Sequence, residues 1–372
     1  MHKGQALIMR SAVSILAIAS LAGIWLKAAA AQDSPGAVYV LTNQNVNSVL
    51  VYARAGDGAL SLSGSFSTGG VGAGTGGDPL GSQNSLVLGR THQLLFAVNA
   101  GSNDVSVFRV DGLRLQLVDR ESSGGTMPVS IVVHGNLVYV LNAGGTPNIQ
   151  GFFINPFTGH LVHLPGSKRA LAGGTGSAPA QVAFSPDGKV LMVTEKTSNQ
   201  IDTWVVNDDG FAEDRQISTS SGATPFGFAV TRRNFAVVTE ATPSALSSYE
   251  IDDDGRLELQ TATLTDGQKA NCWVVVTKNQ RYAFTTNTGS GNMSSYLVSH
   301  DGSLTLLNAV AASTGTGTAP IDMALSDDSH FLYVREATKG RVDGFRVQSD
   351  GSLTPINSAG GVPAGAQGVA AR

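Results

Sequence analysis

One cysteine, Cys272, stands in a chain of 372 residues, so no internal disulfide can staple the fold. Charge is scarce as well. Asp, Glu, Lys and Arg together make up 14% of the chain, against about 25% in an ordinary soluble protein. No basic run occurs and the formal charge is −4, which removes the cationic stripe that nucleic acid requires and the polybasic patch that an anionic membrane attracts. No Gly-x-Ser-x-Gly elbow occurs, and Ser130 has no evident base partner. The histidines beyond the N-terminus (His92, His134, His160, His163, His300 and His330) fall near strand ends or turns, so nucleophilic catalysis has little footing. In place of charge the sequence has Ser, Thr, Asn and 45 Gly, and its 42% hydrophobic content is too high for a disordered chain.

Residues 1–31 read as an export signal, which places the mature protein outside the cytoplasm, secreted or periplasmic. Lys3 and Arg10 form a positive start, Ser11 to Leu26 an apolar run, and Ala29-Ala30-Ala31 a small-residue cleavage site. The run is 16 residues long, short of the about 20 that a spanning helix needs. Removal of the segment takes Lys3, Arg10 and Lys27 and no acid, and leaves residues 32–372 more acidic than the whole chain. Cys272 lies in an apolar stretch, where a buried, inert thiol is expected.

The remainder is one unit written seven times. Apolar strands end at Asn43, Asn99, Asn142, Glu195, Glu240, Asn287 and Glu336. An aromatic follows nine residues later in six copies, at Tyr52, Phe108, Trp204, Tyr249, Tyr296 and Phe345, and Phe152 is displaced by one because Pro147 marks an insertion. An Asp-Gly turn comes fourteen residues after the strand end in most copies, as at Asp57-Gly58, Asp209-Gly210 and Asp350-Gly351. Each unit holds four short strands and no helical period; in the fourth they are Ala180–Phe184, Val190–Thr194, Ile201–Val206 and a polar run from Glu213. Four-stranded antiparallel units repeated around an axis make an all-β propeller, here of seven blades. The chain begins on a second strand and ends on a segment like a first strand, Gln367–Ala371, so pairing the termini in one blade closes the ring and hides both edges.

This topology gathers the candidate site residues on one face. If the first strand of each blade runs down, the second runs up, and all seven terminal Asn and Glu residues stand at the top. Ser85, Ser130, Gln181, Gly227, Trp273, Asp322 and Gly368 fall at the mouth of the central channel on that face. The outcome expected is a polar, acidic funnel with one aromatic. Two readings of the ring stay open. A polar residue at a strand end can bond the backbone of the following loop; Glu does this less compactly than Asn, so Glu195, Glu240 and Glu336 are also candidates for binding. No cofactor is expected. Calcium is the one metal considered, and its six to eight oxygens would have to converge from separate blades at a narrow mouth.

The repeat, as in Leu137-Val138-Tyr139-Val140-Leu141-Asn142 followed by an aromatic strand and an Asp-Gly turn, resembles the lactonase family of seven-bladed propellers over residues 37–372. That family includes 6-phosphogluconolactonases and carboxymuconate-lactonising enzymes and shades into surface proteins with Tyr-Val-Thr-Asn repeats. The resemblance implies a blade start with Arg and His after a Pro and a second strand ending in Glu. Here Glu240 matches, but Phe226 stands where Arg is implied and Gly227 where His is implied, and the preceding blade has Pro179-Ala180-Gln181 with Glu195. A carboxylate-based lactonase therefore remains, with Glu240 and Glu195 as candidate catalytic groups and Gln181, Asp322, Trp273, Glu336 and Asn287 as candidate substrate contacts. The alternative is a non-catalytic propeller that takes a small polar ligand, a glycan or a protein in the same funnel. Either would act as a monomer, off the membrane once the signal is removed.

Overall fold

The alternation of apolar and polar residues in each short strand lets one face of a sheet meet its neighbour, and seven such sheets stack around an axis. The computed structural model describes Met1 and residues 33–372; apart from Met1, the expected export segment lies outside the described residues. Blade 4 shows the plan. Its strands, from the axis outward, are Pro179–Phe184, Val190–Glu195, Gln200–Val206 and Ala212–Thr219, each antiparallel to the next. Blades 2, 5, 6 and 7 follow it, with inner strands Leu86–Leu88, Pro225–Val230, Asn271–Val276 and Pro320–Leu325. In blade 3 the outer edge is split into Leu161–His163 and Arg169–Ala170 around Pro165-Gly166, since Pro has no N–H to give a ladder.

Blade 1 is built from both ends of the chain. Its inner strand is Val369–Ala371, which pairs antiparallel with Gly36–Leu41, with Val38 opposite Ala371 and Val40 opposite Val369. The expected closure is therefore present, and it leaves no free inner edge among the blades.

The repeated aromatics are wedges in the core. Tyr52, Phe108, Phe152, Trp204, Tyr249, Tyr296 and Phe345 are all at most 3% exposed. The Asp-Gly turns need glycine for two reasons. Gly58, Gly210, Gly302 and Gly351 have φ between 80° and 93°, a left-handed backbone that other residues resist. Each also packs on the start of a second strand in the preceding blade; a Cβ on Gly58 would lie 2.4 Å from the Phe331 ring, and one on Gly351 would lie 2.6 Å from Tyr282. Tyr333 and Tyr139 hydroxyls donate to the carbonyls of Gly58 and Gly210 across the same seam, at 2.9 and 2.8 Å.

Candidate functional site

At the top of the ring all seven residues that end the second strands are fully buried. The asparagines all donate through the amide nitrogen, and Asn99 uses both ends of its amide. Asn99 Nδ2 donates to Asp104 Oδ1 at 2.6 Å and to Ser106 Oγ at 2.8 Å, while its Oδ1 accepts from Thr68 Oγ1 and Asn47 Nδ2. The glutamates hold the connector that enters their own blade. Gly222 N–H donates to Glu240 Oε1 at 2.6 Å, and Ser247 Oγ donates to the same oxygen at 2.7 Å. Gly173 N–H donates to Glu195, and the N–H groups of Ala319, Thr338 and Lys339 donate to Glu336. Burial would raise the Glu336 carboxyl, but these donors outweigh it and hold the group below the usual carboxylate range. The length argument against Glu as a loop anchor thus gives way, because these connectors present N–H groups and a carboxylate accepts them well.

The channel mouth is stoppered rather than funnel-shaped. The long Gly-rich connector between blades 1 and 2 turns inward, and its residues Leu80, Ser82 and Gln83 are at most 5% exposed. Gln83 N–H donates to Ala180 O in blade 4, and its amide bonds both backbone groups of Val274 in blade 6, at 2.8 and 3.2 Å. Ser82 O accepts from Trp273 Nε1 at 2.8 Å and from Gln367 Nε2 at 2.6 Å, and Ser82 Oγ donates to Val129 O in blade 3 at 2.8 Å. The first strand of blade 2 therefore starts only at Leu86.

Three expected substrate contacts are structural parts of this closure. Trp273 is 1% exposed and packs at 4.8 Å on Phe226. Gln181 pairs through its amide with both backbone groups of Phe228 in blade 5, at 2.7 and 2.8 Å. Asp322 Oδ2 accepts from Gly368 N–H at 2.9 Å, which ties blade 7 to the closing strand. Its burial, with the Asp78 charge adding to it against the N–H donors, pushes the Asp322 carboxyl up to about 7. Asn287 donates to Asn292 Oδ1 and Ser294 Oγ within its own blade.

An open cavity of about 550 Å³ does lie on the top face, beside the stopper. Thr75, Asp78, Thr288, Ile321 and Thr338 are among its walls. Asp78 keeps one side open to solvent while protein crowds the others; this crowding raises its carboxyl, and Lys196 pulls it back. Asp78 Oδ1 accepts from Gly81 N–H at 2.9 Å. Lys196, the residue after Glu195, reaches inward, donates to Gly81 O and lies 4.7 Å over the Phe226 ring. Burial lowers its ammonium pKa, and the charge of Asp78 works against that. A cation thus stands over Phe226, where the resemblance implies Arg, and Gln83 Oε1 fills the space above Gly227, 2.1 Å from where a Cβ would be. Buried Cys272 is pushed up to about 12, first by burial and then by the Asp78 charge, so it holds its proton.

Sequence reasoning passed over Asp78 and Lys196. A signal for each existed. Asp78 is the one acid in the connector from Ser67 to Ser85, and Lys196 is the one basic residue among the seven that follow the ring positions (Gln44, Ala100, Ala143, Lys196, Ala241, Thr288 and Ala337).

Residues 229–323 match a family model described as a lactonase, seven-bladed β-propeller. No curated protein matches the chain in sequence. Among solved structures, a Lactobacillus plantarum protein is similar at TM-score 0.73 with 16% identity, over 91% of this chain and 99% of its own. The periplasmic gluconolactonase of Pseudomonas aeruginosa is similar at TM-score 0.70 with 17% identity, over 90% of this chain and 99% of its own. A candidate 6-phosphogluconolactonase of Bacteroides fragilis is similar at TM-score 0.67 with 16% identity, over 92% and 99%. Taken with seven closed four-stranded blades, these likenesses show a seven-bladed β-propeller fold, one segment of which is similar to the lactonase family.

Proposed function

We propose that the protein is an exported lactonase-type hydrolase whose working carboxylate is Asp78 and whose working cation is Lys196. One observation carries this reading: Asp78 opens into the top-face cavity and accepts from Gly81 N–H, while Lys196 donates to the carbonyl of the same Gly81. Asp78 takes a proton from water, whose oxygen bonds to the lactone carbonyl carbon. The ring C–O bond then breaks, the proton passes to the departing alkoxide, and a hydroxy acid leaves. Lys196 offsets the negative charge that develops on the carbonyl oxygen and then on the product carboxylate. The cavity suits a small, hydroxylated lactone, since Thr75, Thr288 and Thr338 offer hydroxyls while Ile321, Ala319 and Ala337 give an apolar wall. A sugar-acid lactone fits that chemistry. The export pattern of residues 1–31 and the likeness to a periplasmic gluconolactonase support an extracytoplasmic place for it.

Proton release from a panel of aldonolactones and aromatic-acid lactones, followed in a pH-stat with the mature protein, tests the reading. Hydrolysis of a sugar lactone well above the spontaneous rate is expected, with Lys196→Met lowering kcat by about 10²-fold. No hydrolysis across the panel would leave the other reading, a non-catalytic binder using the same cavity. That reading is favoured by the burial of Glu240 and Glu195 under their own connectors.

A further inference from the structure

All seven blades face one local problem, how to satisfy the residue that ends the second strand together with its neighbours on the third. The third-strand residues five and seven positions later share its face, because the fifth lies opposite it and the seventh is two further along. In blade 6 the three positions hold Asn287, Asn292 and Ser294, and the Asn287 amide donates to the other two at 2.9 and 2.8 Å. Blade 2 repeats this with Asn99, Asp104 and Ser106. In blade 5 the Ser247 hydroxyl supplies a proton to Glu240 at 2.7 Å. In blade 7 two of the positions are carboxylates, Glu336 and Asp343, and the third is Arg341, paired to Asp343 at 2.7 Å.

Blade 4 has two carboxylates and no such partner. Its residues are Glu195, Gln200 and Asp202; Glu195 and Asp202 are fully buried, and their carboxyl groups lie within hydrogen-bonding reach of each other. Buried Asp202 Oδ1, Gln200 Oε1 and Ser198 Oγ are each without a hydrogen-bond partner. Ser198 Oγ and Glu195 Oε2 face the same glycine, at 2.5 and 2.8 Å from the place of a Cβ on Gly173. The connector fixes the far side of the cluster, where Ala172 N–H donates to Asp202 Oδ2 at 2.7 Å and Gly173 N–H to Glu195. Neighbouring cations are engaged elsewhere: Arg215 donates to Ala170 O at 2.9 Å, and Lys196 donates to Gly81 O.

We propose that this corner of blade 4 is a calcium site, with Glu195, Ser198, Gln200 and Asp202 as oxygen ligands, and that the ion fills the place that Arg341 fills in blade 7. An all-oxygen set of two carboxylates, an amide and a hydroxyl suits Ca²⁺, with waters completing six to eight ligands, and does not suit zinc or copper. The ion would fasten the connector entering blade 4 to its own hairpin.

The test is the melting temperature of the mature protein at pH 8, in chelator and in 10 mM calcium chloride at matched ionic strength. A Kd of about 10⁻⁴ M raises Tm by about 4 °C. Gln200→Arg, which copies blade 7, should melt higher in chelator and lose the calcium response. The double change Glu195→Asn with Asp202→Ser, which copies blade 6, should fold and also lose it; if one variant fails to fold, the other decides. A wild-type Tm indifferent to calcium overturns the proposal. So does a response that either folded variant retains in full.

Discussion

Glu240 and Asp78 stand on the same face of the ring in different company. Glu240 ends an apolar strand, is fully buried, and spends one carboxylate oxygen on Gly222 N–H and the Ser247 hydroxyl. Asp78 sits in a connector with no regular structure, spends one oxygen on Gly81 N–H, and opens the rest of its carboxylate to a cavity. A carboxylate pinned through one oxygen by a backbone N–H and a hydroxyl, with the other oxygen buried away from solvent as Glu240 Oε2 is, is a strut. One that faces a cavity, with a cation near and few donors, is free to take a proton. The comparison teaches that depth in the repeat and chemical availability run in opposite directions here.

The sharpest way to break the comparison is to neutralise each acid separately. Asp78→Asn keeps the shape and an acceptor for Gly81 N–H but cannot take a proton. We expect kcat for lactone hydrolysis to fall by about 10²–10⁴-fold, with Tm within about 1 °C of the parent. Because crowding raises the Asp78 carboxyl, the parent's activity should rise with pH above the ordinary carboxylate range, and the variant's residual activity should not. Equal losses from Asp78→Asn and from a conservative change at Glu240 would erase the distinction.

The fold was legible because a repeat of fixed spacing prints the same physics seven times. Tyr52 and its counterparts had to be core wedges, the Asp-Gly turns had to reverse the chain, and Val369–Ala371 had to find Gly36–Leu41 or leave two edges bare. The site was legible only as a face. A connector such as residues 68–85 has no periodicity, so nothing in it says that Ser82 and Gln83 cross the channel to Trp273 and Val274, more than 190 residues onward. For Gln181, Trp273 and Asp322, position at the mouth was read correctly while exposure was not, because exposure depends on that crossing strand. The glutamates were ambiguous for a similar reason. Whether a strand-end carboxylate is a strut depends on the loop offering it an N–H, which is a property of the backbone and not of the residue.

Asp322 lies between the two cases, and its titration sharpens the comparison. It is buried like Glu240 yet feels the Asp78 charge. Its carboxyl is raised to about 7 in the fold, against about 3.9 in the unfolded chain. A raised folded value means that the native state binds the extra proton, so this group's contribution is complete below about pH 4 and is lost as pH rises through about 7. The loss amounts to about 4 kcal/mol across that window. Denaturant midpoints measured from pH 4 to 8 should therefore fall more steeply for the parent than for Asp322→Asn. A parent and variant with parallel pH profiles would show that Gly368 and Met323 N–H groups hold Asp322 ionised throughout. Asp78→Asn should make the parent's fall shallower and complete it at lower pH, since removing a like charge lowers the Asp322 carboxyl.

The smallest effect expected is at Glu240, and it is the most direct check on what a strut is. Glu240→Ala leaves Gly222 N–H and the Ser247 hydroxyl without their acceptor in a buried place. Unsatisfied buried donors cost about 1–3 kcal/mol, read as a lower denaturant midpoint at unchanged slope. Glu240→Gln keeps one acceptor oxygen for both donors and should recover most of that loss. Activity per folded molecule should hold for both variants, since neither donor faces the cavity. A fall in kcat for Glu240→Gln, in protein that melts like the parent, would instead return Glu240 to the chemistry and make the connector's N–H groups its means of orientation.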